Sequence, residues 1–211
     1  MTALLAPALI APIAARAQSE QLRDTWQRVP DLFAAAGVRP GARIVDLGAG
    51  DGFLTVRLSP AIGSGGRIYA IDVDAKVADQ LRNRVAQARL MNVDVVIATA
   101  GDPHLPPTVD GVIILNAYHE MSQWPMVLNH IFQALTPGGR LVICEPAPRT
   151  SDQPRATQVA DHTIDPNLVA DEVRGAGFQM IDSQVDFATN LGGTHFSLVV
   201  AERPRSKSRD R

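Results

Sequence analysis

Apolar positions along the chain fall into two repeating patterns. Residues 43–47 (Arg-Ile-Val-Asp-Leu) read as a buried strand that runs into a glycine loop. Residues 67–73 and 93–98 read as a second and a third strand. Val112-Ile113-Ile114-Leu115 is apolar without alternation, as expected for a strand covered on both faces. Residues 140–144 read as a fifth strand, and two more are expected near 180–187 and 196–201. The segments between them carry helical spacing. Leu22, Trp26, Val29, Leu32 and Phe33 recur at that period, with Pro30 as a joint between two helices. A short helix is expected at 53–58, and Val77, Leu81, Val85 and Ala88 form one helix face. Val127, Leu128, Ile131 and Leu135 form another, with Pro125 suited to its first position and Thr136-Pro137-Gly138-Gly139 as its stop. A connector rich in Pro and Asp leads to about Asp165. A helix through Leu168, Val169 and Val173 then ends at Gly175-Ala176-Gly177. Strand and helix alternate, which predicts an α/β fold with a mostly parallel sheet and helices on both faces.

Composition narrows the picture. At 211 residues, 45% of them hydrophobic and 20% charged, the chain suits one globular domain with a single sizeable core. A net charge of −2 gives no field that would draw in nucleic acid. The one cysteine, Cys144, can form no internal disulfide and excludes an all-cysteine metal site, so no metal is expected. No apolar run reaches the length of a membrane span. Residues 1–17 are uncharged until Arg16, and Ala15-Arg16-Ala17 fits the small-x-small cleavage pattern of a secretory signal, although the usual basic start is missing. The expected organisation is a signal-like segment or N-terminal arm at 1–18, one domain at 19–203 and a disordered basic tail at 204–211. Export to the periplasm, with a mature chain from Gln18, is preferred over a cytoplasmic protein with an arm.

The most informative stretch is Asp46-Leu47-Gly48-Ala49-Gly50-Asp51-Gly52. A glycine turn from strand to helix lets a ligand approach the backbone closely, at the strand end where α/β sheets bind ligands. The spacing is G-x-G-x-G. A dinucleotide fingerprint would need a small residue where Phe53 stands. Asp51 lies at the expected helix N-terminus, where it would repel a pyrophosphate. S-adenosylmethionine has no phosphate and carries a cationic sulfonium and ammonium, so acidic residues here favour it. Asp51 can also cap the helix. Asp72 ends the second strand roughly 20 residues after the loop, where an acid can accept hydrogen bonds from both ribose hydroxyls. Asp74 reads as an ordinary turn residue.

With these residues in view, the sequence resembles the class I S-adenosylmethionine-dependent methyltransferases from about residue 24 to 203. VDLGAGDGFLT (45–55) is similar to their motif I, IYAIDVD to their second-strand motif and LTPGGRLVICEP to their helix–loop–fifth-strand motif. GDPHLP (101–106) is similar to the segment whose acid contacts the adenine amino group, here Asp102. LNAYHEM followed by DHTIDPNLVADEVRGAGF resembles a group of bacterial methyltransferases, some with export signals. The resemblance implies a single Rossmann-like α/β domain with a seven-stranded sheet in the order 3-2-1-4-5-7-6, the last strand antiparallel. S-adenosylmethionine is the implied cofactor, held by Asp46, Gly48, Ala49, Gly50, Gly52, Asp72, Val73, Asp102 and Asn116. Its use in the cytoplasm stands against export.

Methyl transfer requires the protein to position an acceptor and, where needed, to remove its proton. The acceptor, expected to be a small molecule, should lie beyond the fourth strand, beside Asn116-Ala117-Tyr118-His119-Glu120. His119 is the first choice for a general base. Tyr118 could flank the sulfonium or orient the acceptor, and Glu120 could hold the imidazole. These residues could equally form only a pocket wall. His162 and Glu145 are further pocket candidates, and His104 reads as a surface loop residue. Asn116-Ala117-Tyr118 lacks the prolines of the loop that nucleic-acid amino methylases carry there. One cysteine argues against arsenite as substrate, and Asp161, His162 and Asp165 are only a faint hint of a metal-dependent O-methyltransferase. The alternatives are a non-catalytic S-adenosylmethionine-binding protein and a nicotinamide-dependent oxidoreductase.

Overall fold

The structure, a computed structural model, describes residues 13–150 and 152–205. Most of the signal-like segment and the end of the basic tail, 1–12 and 206–211, lie outside the described residues. Helices α1 (Ile13–Trp26) and α2 (Val29–Ala35) come first among the described residues, with Pro30 in the first turn of α2. The alternating core follows: β1 (Arg43–Leu47), α3 (Phe53–Ile62), β2 (Arg67–Asp72), α4 (Ala75–Gln87), β3 (Val93–Ile97) and β4 (Val109–Leu115). A 3₁₀ turn (Tyr118–Glu120) leads to α5 (Trp124–Ala134) and β5 (Leu135–Pro146). The chain ends with α6 (Arg155–Ala160), α7 (Pro166–Gly175), β6 (Gln179–Thr189) and β7 (His195–Glu202). Among the described residues no helix is long and apolar enough to cross a membrane.

The seven strands form one sheet in the order β3-β2-β1-β4-β5-β7-β6. Every pairing from β3 to β5 is parallel, and β7 runs antiparallel to both β5 and β6. This is the order that the resemblance implied. Successive strand residues point to opposite faces, so each central strand feeds two cores. Ile44 and Ile113 pack into the core on one face, Val45, Val112 and Ile114 into the core on the other. β1 and β4 lie side by side while the chain leaves them in opposite directions. That switch point opens a crevice beyond their carboxyl ends.

Two local features differ from the sequence expectation. The Thr136-Pro137-Gly138-Gly139 stretch, expected as a helix stop, lies inside β5, because Leu135 already pairs with Val109 before the register shifts to Gly111 and Arg140. The connector before Asp165 contains α6, six residues whose short span carries too little apolar periodicity to be seen. Arg203, the last residue expected in the domain, is docked. Its guanidinium donates to the carbonyls of Gln133 and Leu135 and lies over the Phe132 ring.

Candidate functional site

The crevice is built around the loop after β1. Gly48 and Gly50 both adopt positive φ, the left-handed region that favours glycine. The N–H groups of Gly48 and Ala49 donate to the Ile71 carbonyl at 2.8 and 2.9 Å, which ties the loop to β2. One carboxylate oxygen of Asp72 accepts from Gly50 N–H at 2.9 Å and the other from Asp74 N–H at 3.0 Å. A side chain at Gly48 would run into Ala117 of the β4 loop, whereas the space beside Gly50 is open. Gly48 is thus needed for packing, and Gly50 leaves room for a ligand.

Two recesses meet at this loop, and a third lies beyond Asn116. An inner one of about 150 Å³ is lined by Arg23, Asp46, Asp51, Leu115 and the glycines. An outer one of about 320 Å³ is lined by Asp72, Val73, Ala98, Ala117, Glu120 and Met121. A larger cleft of about 1180 Å³ lies toward β6 and β7, with Arg149, Asp161, His162, Asp186 and His195 among its lining residues. Asn116, at positive φ and with its N–H donating to the Cys144 carbonyl, borders all three.

Helix α1 supplies a wall that sequence reasoning missed. Arg23 reaches the inner recess by stacking on Phe53: the guanidinium carbons of Arg23 and Arg57 are each 3.9 Å from the Phe53 ring centroid. Arg57 is held by Asp24 and Glu20 of the same helix, and Glu20 also takes two hydrogen bonds from Arg84. Beneath Arg23, Asp46 is buried and accepts from the Thr55 hydroxyl at 2.6 Å. Burial pushes its carboxyl up to about 6, against the opposing pull of the Thr55 hydrogen bond and the Arg23 charge. The inner recess therefore offers a cation and an acid a short way apart.

The loop after β4 is organised by Glu145, fully buried at the end of β5. One oxygen accepts from the N–H groups of Ala117 and Tyr118 at 2.7 and 2.8 Å. The other accepts from the His119 N–H at 3.4 Å and pairs with His119 Nδ1 at 2.6 Å. His119 is 2% exposed. Burial works to lower its pKa, but the hydrogen bond and charge of Glu145 prevail and hold it above the ordinary value. Among the described residues its Nε2 has no hydrogen-bond partner, and it stands 3.7 Å from Glu120. Tyr118 is completely buried, its hydroxyl donating to Glu172 of α7 at 2.8 Å, and Arg155 grips the other oxygen of Glu172.

The structure brings Asp46, Gly48, Ala49, Gly50, Asp72, Val73 and Asn116 to the two smaller recesses. Gly52 begins α3 just behind them and faces Leu81. Asp102 lines neither. Its carboxylate accepts from the His104 N–H and faces a separate recess with His104 and His130. Tyr118 points into the core rather than toward the crevice, because its hydroxyl finds a buried acceptor in Glu172. Glu145, not Glu120, holds the His119 Nδ1. Glu120 lines the outer recess and His162 the cleft.

A parallel sheet in this order, reversed only at β7, with an acid-anchored glycine loop at its switch point, defines the class I S-adenosylmethionine-dependent methyltransferase fold. The family model described as "Methyltransferase domain" matches residues 45–141. The fold, and the match over residues 45–141, are those of a class I S-adenosylmethionine-dependent methyltransferase domain, and the cofactor of such domains is S-adenosylmethionine. It is 31% identical over 122 residues to the ubiquinone/menaquinone biosynthesis C-methyltransferase UbiE of Vibrio cholerae, a match covering 57% of this chain and 46% of that relative. The match thus spans about half the length of the curated relative. An S-adenosylmethionine-dependent methyltransferase from Aquifex aeolicus has a similar fold, with a TM-score of 0.69 at 22% identity, covering 82% of this chain and 88% of that one. Fibrillarin of Aeropyrum pernix, solved with natively bound S-adenosylmethionine, gives a TM-score of 0.58 at 22% identity over 80% of this chain and 73% of that one.

Proposed function

We propose that this chain transfers the methyl group of S-adenosylmethionine to a small polar acceptor held in the cleft beside Asn116. The observation that carries this reading is the position of Asn116, which borders both small recesses and the cleft. A donor laid across the glycine loop would place its adenosine in the outer recess, with the ribose hydroxyls at Asp72. Its amino-acid end would enter the inner recess, with the carboxylate toward Arg23 and the ammonium toward Asp46. Asn116, shared by the two small recesses and the cleft, would then stand beside the sulfonium. The acceptor's electron pair forms a bond to the methyl carbon as the carbon–sulfur bond breaks. Sulfur keeps the electron pair as a neutral thioether, and the acceptor's proton leaves through the polar cleft. The protein's contribution is mainly orientation of the two reactants. The Vibrio relative is named a C-methyltransferase, so carbon acceptors belong among those to be tried. The charged lining of Arg149, Asp161 and Asp186 favours a polar molecule over one with a long apolar tail.

Purified protein should bind S-adenosylmethionine or its demethylated product in calorimetry, and Gly50→Val should abolish that binding by filling the ligand's space. Labelled donor offered with panels of small phenols, thiols, amines and carbon acids should pass label to one class, with the thioether product forming in step. Binding of a nicotinamide dinucleotide in place of S-adenosylmethionine would overturn the reading.

A further inference from the structure

Between the outer recess and the cleft, the side chains of His119, Glu120 and His162 converge, and one potential ligand atom from each lies within 4.8 Å of the others. His119 Nε2 stands 3.7 Å from a Glu120 carboxylate oxygen, and His162 Nδ1 stands 4.0 Å from the same oxygen. The two imidazole rings are 5.7 Å apart and nearly perpendicular.

What separates this group from a chance surface cluster is His119. Its side chain is 2% exposed, yet its Nε2 is without a hydrogen-bond partner among the described residues and is aimed at the other two groups. A buried polar atom left unsatisfied is costly and calls for an explanation. The other ring nitrogen sits 2.6 Å from Glu145, whose remaining capacity is taken by backbone N–H groups. A carboxylate that accepts the Nδ1 proton leaves the Nε2 lone pair free and fixes the ring's orientation. This is the outer-shell arrangement of metal-ligating histidines. We propose that His119 Nε2, Glu120 and His162 Nδ1 form a binding site for a divalent transition-metal ion of the zinc type.

Two imidazoles and one carboxylate suit zinc and its neighbours, whereas calcium and magnesium prefer all-oxygen shells. Ligand bonds of about 2.0–2.2 Å require ligand atoms roughly 3.3–3.6 Å apart in a tetrahedral shell. The observed separations need to close only modestly. Glu120 and His162 can supply that movement, since their side chains are 67% and 77% exposed. Three protein ligands leave at least one position open, as in catalytic rather than structural zinc sites. His162 lines the cleft and Glu120 the outer recess, so the open position would face the junction of the two. If the methyl-transfer reading holds, an acceptor oxygen or sulfur could bind there and lose its proton more readily. The metal site itself does not depend on that reading.

The test uses tag-free, chelator-treated full-length protein titrated with Zn²⁺ by calorimetry, and with Co²⁺ followed by its visible absorption. One equivalent should bind per chain, with a Co²⁺ spectrum of low coordination number. His162→Ala and Glu120→Gln alter exposed side chains and should fold normally, and each should weaken Zn²⁺ binding at least tenfold. His104→Ala, at an exposed histidine beside Asp102, should change nothing. Absence of stoichiometric binding, or binding that survives His162→Ala undiminished, would overturn the site. S-adenosylmethionine binding measured on the same samples keeps the two readings separable, because either can fail while the other stands.

Discussion

The loop after β1 and the loop after β4 touch at Gly48 and Ala117, yet they are held by opposite means. The first is fixed by backbone: glycine conformations, two N–H groups on one β2 carbonyl, and a carboxylate 22 residues along the chain. The second is fixed by buried side chains on later elements, Glu145 on β5 and Glu172 on α7, 27 and 54 residues beyond Tyr118. Both end as rigid walls of one crevice. A loop defined by backbone geometry tolerates little change in its own residues. A loop hung from a remote carboxylate is most vulnerable at that remote point.

Removing the remote point should have the largest effect. Glu145→Ala would leave three N–H groups and the His119 ring nitrogen without their acceptor, at a cost of about 3–5 kcal/mol in urea unfolding. A loss below about 1 kcal/mol would mean that the β4 loop supports itself as the β1 loop does.

The next effect is in Asp46, under the first loop. Its folded pKa of about 6 exceeds the ordinary 3.8, so below pH 4 or so the carboxyl is protonated whether the chain is folded or not. Between these values the folded state holds a proton that the unfolded chain has released. Stability contributed by that proton is lost as pH rises through 6, by about 3 kcal/mol in all. Asp46→Asn should flatten this part of the stability–pH curve, and an unchanged slope would assign it to other groups.

A smaller change is expected at the ligand surface. Asp72→Ala should weaken S-adenosylmethionine binding by about 2 kcal/mol, roughly thirtyfold. Asp102→Ala, facing a separate recess, should alter it less than about twofold. Calorimetry showing the reverse ranking would return the adenine contact to Asp102. Smallest is Tyr118→Phe, which removes one buried hydrogen bond and should cost about 1 kcal/mol of stability while leaving donor affinity unchanged. A marked fall in affinity would mean that Tyr118 reaches the ligand after all.

The same contrast explains what the sequence made legible. The strands, the glycine loop and Asp72 could be read because apolar runs, turn residues and the strand-to-acid spacing are local signals. The strand order came through the resemblance, since spacing alone does not order a sheet. Side-chain partnerships carried no such signal. His119 was paired with its neighbour Glu120, but the acceptor of its Nδ1 is Glu145, 26 residues away. Tyr118 looked available for the sulfonium because nothing local marks Glu172 as its partner. Arg23 sits on a helix well before the loop it covers, brought there by the Phe53 stack and by the ties of Glu20 and Asp24 to Arg57 and Arg84. Asp102 fits a motif by residue type, but the loop after β3 turns it outward.

The placement of β7 has a consequence for the order in which the molecule can be built. It follows the other six strands of the sheet in the chain, yet it lies between β5 and β6. Until it arrives, β6 has no strand to pair with, and β5 presents an open edge along which Glu145 will later lie opposite Ser197. The parallel half, with its glycine loop, can assemble on the ribosome while residues 195–202 are still unmade. The wall that carries His119 is sealed only once residues 195–202 have been made. A chain truncated before His195 would expose the β5 edge to neighbouring chains, and aggregation through that edge is the expected fate of an unfinished copy.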